Sequence, residues 1–236
     1  SSDLDTDTVS SNAASITVLA ADLQNTSTFV EDSTYTIFVS VSDIAGNSVT
    51  DSSQTFIVDR ILPTLSVTMT SDNATNTLGK LNDTVTLSFE ASETINSPSV
   101  TIKDVNGATL SNDTGPTNTS ENIWVTTHVI DAGDPDGIMG LTIVITDLAD
   151  NQTTKTVTNS SSYVTIDQTT PTLTPVSIAS NNSTSTLAKE GDVVTLSFTA
   201  SETINTPSVV FYSDSDLFTN SVRVSNTSGD NWTAVY

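Results

Sequence analysis

The chain has 236 residues, with 6 Lys and Arg against 28 Asp and Glu, one His and no Cys, for a formal charge of −22. That charge excludes nucleic-acid binding, which needs a basic footprint, and docking on anionic lipid. The missing cysteine excludes a disulfide framework, a Cys-ligated zinc site and thiol chemistry. Charged residues make up only 14%, apolar residues 35%, and Ser and Thr together fill 79 positions. The apolar residues fall in short alternating runs among β-branched Thr, so the expectation is a folded all-β chain, not a disordered one. No apolar run approaches the length of a membrane helix, so membrane insertion is not expected. No basic and then apolar leader opens the chain, so an export signal would lie outside this segment or have been removed.

In chain order, the first motif is Asp43-Ile-Ala-Gly46-Asn47, where one strand turns into the last of a unit. One reading is turn chemistry: Asp bonds the backbone and Gly46 takes positive φ. The other is cation binding, because carboxylate and amide oxygens at this spacing suit Ca²⁺. Asp59 follows, four residues before Pro63, which fixes an extended linker.

Residues 60–167 read as about seven strands, near 62–70, 84–91, 98–104, 107–111, 122–130, 138–146 and 153–166. Val85, Leu87, Phe89 and Ala91 alternate with polar residues, as do Leu141, Ile143 and Ile145, so one face of each strand is buried. Turn signals separate them at Asn106-Gly107, Asp113-Thr-Gly115-Pro116 and Asp136-Gly137. Asp131, Asp134 and Asp136 form the densest acidic run. It offers three carboxylates before a Gly turn but lacks the spacing and late Glu of an EF-hand loop, so a solvated hairpin turn competes with Ca²⁺ binding. Asp147 and Asn151 repeat the spacing of Asp43 and Asn47. Asp167 stands four residues before Pro171, as Asp59 does before Pro63.

Internal repetition organises the rest. TVTLSFEASETINSPSV at 84–100 returns as VVTLSFTASETINTPSV at 193–209, with fourteen of seventeen positions identical. Trp124 maps to Trp232, and Asp59 maps to Asp167, at an offset of 108. The repeat is thus about 108 residues, a common sandwich size. Residues 1–59 match the second half of a module, 60–167 a complete module, and 168–236 a first half. Two readings are open: a segment of a longer array, or half modules that complete each other between chains. A lone half sandwich leaves an open edge and a bare apolar face.

TLSFEASETI, a Trp strand, DIAGN or DLADN near the last hairpin and a VD-x-x-x-P boundary together resemble the bacterial Ig-like repeat families. These occur in large prokaryotic cell-surface and adhesin-type proteins. Asp150 departs from the pattern, which usually has Gly there, so its turn is expected to differ from that at Gly46. The resemblance implies tandem immunoglobulin-like β-sandwich modules in an extracellular setting. It also implies Ca²⁺ at module boundaries, where linker Asp59 or Asp167 meets Asp43 or Asp147.

Glu93 and Glu202 recur in ASETI, where capping the next turn is favoured over lending a metal ligand. His128 stands opposite Tyr236 in the repeat, in phase with Trp124 and Trp232, and reads as a packing residue. With one His and no Cys, a hydrolytic triad or zinc site cannot be assembled, so no enzyme is expected. Eleven N-x-S/T sequons occur, among them Asn25, Asn73, Asn118, Asn159 and Asn226, and these accept glycans only where the source glycosylates. The expected role is structural: an adhesin stalk, surface-layer or filament subunit whose partners are neighbouring modules of the same or adjacent chains. The alternatives are a module that binds a cell-surface glycan or protein, and an accessory region of a carbohydrate-active enzyme.

Overall fold

A computed structural model describes residue 30 and residues 33–159, 162–214, 216–217 and 222–236. The sequon at Asn25 and most of the half module 1–59 lie outside these residues. Among the described residues every regular element is a strand, and no helix is long and apolar enough to cross a membrane. The chain divides into two compact units, 1–168 and 169–236.

The first unit begins with an antiparallel hairpin of β1 (Thr34–Ser42) and β2 (Ser48–Ile57). Then follow β3 (Leu65–Ser71), β4 (Leu78–Gly79), β5 (Thr84–Ala91), β6 (Ser99–Lys103), β7 (Thr117–Ser120) and β8 (Ile123–Val129). The unit ends with β9 (Gly137–Ile138), β10 (Gly140–Thr146), β11 (Gln152–Lys155) and β12 (Thr165–Ile166). Antiparallel sheets of order β3-β5-β8-β7 and β11-β10-β6 share one core, the arrangement of a β-sandwich. A small third sheet, β4-β12-β9, contains the one parallel pairing among the described strands, β4 with β12.

The alternation in the sequence explains the core. Val67 and Met69 of β3 and Val85, Leu87 and Phe89 of β5 point inward, as do Leu141, Ile143 and Ile145 of β10. Each such side chain contributes roughly 1.5–3 kcal/mol when fully buried. Trp124 packs against this core from β8.

Three expectations need correction. Residues 107–111 form no strand: Asp104 Oδ1 accepts the N–H groups of Asn106 and Ala108, and Gly107 sits at φ 82°. That turn leaves a single bridge, Lys103 with Thr109. The edge strand is instead β7, four exposed residues, Thr-Asn-Thr-Ser, with no apolar alternation to betray them. The strand expected over 153–166 is two strands in different sheets, β11 and β12. Finally, the Asp150 turn matches the Gly46 turn. Asp150 takes φ 69° and Gly46 φ 90°, a left-handed conformation that Asp tolerates better than most side chains.

The second unit holds β13 (Leu173–Ser180), β14 (Val194–Ala200), β15 (Tyr212–Ser213), β16 (Asp216–Leu217), β17 (Arg223–Ser228) and β18 (Asn231–Val235). Its main sheet runs β13-β14-β18-β17, the order of β3-β5-β8-β7 in the first unit. The turn before the second strand recurs too. Asn73 Nδ2, Lys80 Nζ and the Lys80 N–H donate to Asp83 as Asn182 Nδ2, Lys189 Nζ and the Lys189 N–H donate to Asp192.

Candidate metal centre

Three segments meet at one end of the sandwich: the lead into β3, the bend after β5 and the turn between β10 and β11. Asp59 comes from the first, Glu93 from the second and Asp147 from the third. One carboxylate oxygen of each lies within 4.8 Å of the other two. Asp147 is fully buried, and Asp59 and Glu93 are half-buried.

Local hydrogen bonds hold the frame. Asp147 Oδ1 accepts the N–H groups of Ala149 and Asn151, each at 2.8 Å, and Oδ2 accepts Asn151 Nδ2 at 2.9 Å. The same Asn151 amide donates to the Asp59 carbonyl at 3.2 Å, tying the turn to the lead. Asn96 Nδ2 donates to the Asp147 carbonyl at 2.7 Å, tying in the loop that carries Glu93. Burial on its own pushes the Asp147 carboxyl up. The donors from Asn151 and Ala149 outweigh it and hold the group below the usual carboxylate range. Asp147 is therefore an anion in the fold, beside two further carboxylates.

The donor set is three hard oxygens. A Ca²⁺ ion takes six to eight oxygen ligands at about 2.3–2.6 Å, so two ligands of one ion lie at most about 5 Å apart. The observed spacing fits that geometry. Asp59, Glu93 and Asp147 would each supply an oxygen, with water or carbonyls completing the shell.

Of the residues read from sequence, Asp59 and Asp147 come together, and Asn151 braces both through its amide nitrogen. Glu93, for which turn capping was favoured, is the third member. Its signal was its recurrence directly after a buried strand. Asp43 and Asn47 make the same turn as Asp147 and Asn151, with bonds of 2.8 and 2.7 Å. The Asn47 side chain and N–H hold Asp43 below the usual carboxylate range. Asp167, just past β12, donates its N–H to the Gly79 carbonyl. Among the described residues neither Asp43 nor Asp167 joins a group of three metal-ligating side chains.

The acidic run 131–136 is engaged otherwise. Asp131 accepts from the Gly133 N–H and Asn112 Nδ2, and Asp136 accepts from the Gln168 N–H. Asp134 Oδ2 meets His128 Nε2 at 2.8 Å and accepts the Asp131 N–H. His128 Nδ1 meets Asp113 Oδ1, also at 2.8 Å. His128 is thus fully buried between two carboxylates, a polar centre and not only a packing residue. Burial pushes the Asp113 carboxyl up despite its bond to His128.

No protein-family model matches the chain, and a search of curated proteins finds no match.

Proposed function

We propose that the chain is a structural segment of an extracellular surface protein, built from Ig-like modules about 108 residues apart and stiffened by Ca²⁺ at module boundaries. The observation that carries this reading is the convergence of Asp59, Glu93 and Asp147 where the preceding segment enters the sandwich. An ion there ties the linker to two loops of the module. It thereby converts a hinge into a fixed joint. The strand order supports the Ig-like part: β3-β5-β8-β7 facing β11-β10-β6 corresponds to the A-B-E-D and C-F-G sheets of a constant-type domain. The recurrence of the Asp83 and Asp192 networks supports repetition. The role is mechanical, not catalytic, in an adhesin stalk, surface layer or filament.

Thermal melting in Ca²⁺ and in EGTA tests the metal. Calcium at a hundred times its dissociation constant adds about 2.7 kcal/mol to stability, so the melting temperature rises. An unchanged melting temperature removes Ca²⁺ from the account. Electron microscopy of the native surface separates stalk from lattice and filament.

A further inference from the structure

Asp147 follows β10, whereas the loop 131–136 leads into β9 and β10, so the loop lies at the other end of the sandwich. His128 is buried beside it. Both ring nitrogens face carboxylate oxygens at 2.8 Å, Nδ1 toward Asp113 and Nε2 toward Asp134. At that distance no water fits between. A neutral imidazole carries one N–H and one lone pair, and an ionised carboxylate only accepts. One contact would then set lone pair against lone pair. A second proton, on the ring or on a carboxyl, satisfies both.

The surroundings favour keeping that proton. The ring side chain is 0% exposed and that of Asp134 5%. Burial, with a smaller push from the Asp134 charge, raises the Asp113 carboxyl. Among the described residues these are the two carboxylates paired with the ring. Val85 stands opposite it on β5. Asp131 spends its carboxylate on Gly133 and Asn112, and Asp136 on the Gln168 N–H.

Asp134 also ties the loop together. Its Oδ2 accepts the Asp131 N–H at 2.9 Å, and its own N–H returns to the Asp131 carbonyl at 3.2 Å. Gln168, the last residue of the first unit, fastens to the same loop. Its Nε2 donates to the carbonyls of Asp131 and Asp134 at 2.9 and 2.8 Å, and its N–H to Asp136 Oδ1 at 2.7 Å. The path from the ring to Gln168 therefore runs through one short loop.

We infer that Asp113, His128 and Asp134 hold one proton beyond a neutral ring and two carboxylates, and that this proton latches the loop 131–136 and Gln168 to the sandwich, so that rising pH opens the latch. Losing the proton leaves two carboxylates, one of them buried, against a neutral ring, an uncompensated charge arrangement. The unfolded chain releases its imidazole proton near about 6.5. A proton held only by the fold stabilises fully below that value, and its contribution is lost as pH rises. The latch is independent of the cation proposed for Asp59, Glu93 and Asp147.

The test is nuclear magnetic resonance of the 236-residue chain in EGTA. The chain has one histidine, so its ring signals have one source. Imidazole nitrogen and Asp carboxyl carbon shifts at pH 7 count the protons. Two ring N–H groups are expected, or one together with a protonated Asp113 or Asp134. One ring N–H between two ionised carboxylates overturns the inference. The latch is read from amide exchange of Asp131 and Gln168 between about pH 6 and about pH 9. Corrected for the intrinsic rise with pH, that exchange should quicken by up to about tenfold per pH unit once the proton leaves, while β5 and β10 stay protected. Asp113→Asn places an amide donor on Nδ1, so a neutral ring meets both contacts. This variant should hold Gln168 with no such response. Exchange in the parent that ignores loss of the proton overturns the latch, and so does an Asp113→Asn chain that responds like the parent.

Discussion

Replacing Glu93 with Gln should stabilise the chain without calcium and remove most of its response to calcium. Glu93 faces Asp59 and Asp147 with carboxylate oxygens within 4.8 Å. At that spacing two unit charges repel by about 3.5 kcal/mol at an effective dielectric of ~20, and by about 0.9 kcal/mol in bulk water. Glu93 and Asp59 are half-buried, which places each pair between those limits. After screening, relief of the two pairs that Glu93 makes is worth about 2 kcal/mol, or about 10 °C in melting temperature for a domain of this size. Gln keeps the shape and one oxygen but removes the charge that a divalent cation needs. The variant should therefore melt above the parent in EGTA and show a much smaller upward shift in calcium. Scanning calorimetry in both conditions reads both signs. A variant less stable than the parent in EGTA would show that the carboxylate is held by attraction and not opposed by its neighbours. An undiminished calcium shift would show that the ion sits elsewhere.

Two further outcomes follow from the other carboxylates. Asn73 and Lys80 hold Asp83 at about 2 against an ordinary value of 3.8, so its stabilisation is complete above the unfolded value and is lost as pH falls from about 4 to 2. Asp83→Asn should cost about 1–2 kcal/mol at pH 7, discounted for the exposed Lys80, and almost nothing at pH 2. Urea unfolding across that range checks it, and a pH-independent deficit contradicts the assignment. His128→Leu leaves Asp113 and Asp134 without their imidazole partner and should cost about 3–5 kcal/mol at pH 7. Burial raises the Asp113 carboxyl, and a raised carboxyl is a cost above its folded value that is relieved below it. The His128→Leu deficit should therefore shrink as pH falls, while a constant deficit would point to lost packing alone.

Strands whose burial depends on one face were legible in the sequence. Val85, Leu87 and Phe89, and Leu141, Ile143 and Ile145, alternate because each strand has a wet side and a dry side. β7 was not legible, because an exposed edge strand such as Thr-Asn-Thr-Ser has no dry side to mark. Asp59 and Asp147 were legible as a pair because each sits at a chain-direction change where short-range rules apply. Glu93 was underrated for a physical reason. Capping is a local act, whereas meeting Asp59 and Asp147 depends on three loops reaching one end of a sandwich. The same limit hid the His128 centre. Its partners lie 15 residues upstream and 6 downstream, and only the closed sheet turns them toward one ring.

The two DxxxN turns separate what is local from what is not. Asp43 and Asn47 make the same bonds as Asp147 and Asn151, although the sheet faces beside them differ fully in burial. The turn therefore forms without the sandwich, and the carboxylate group needs more than the turn. Glu202 stands where Glu93 stands, and its Oε1 is buried with no hydrogen-bond partner.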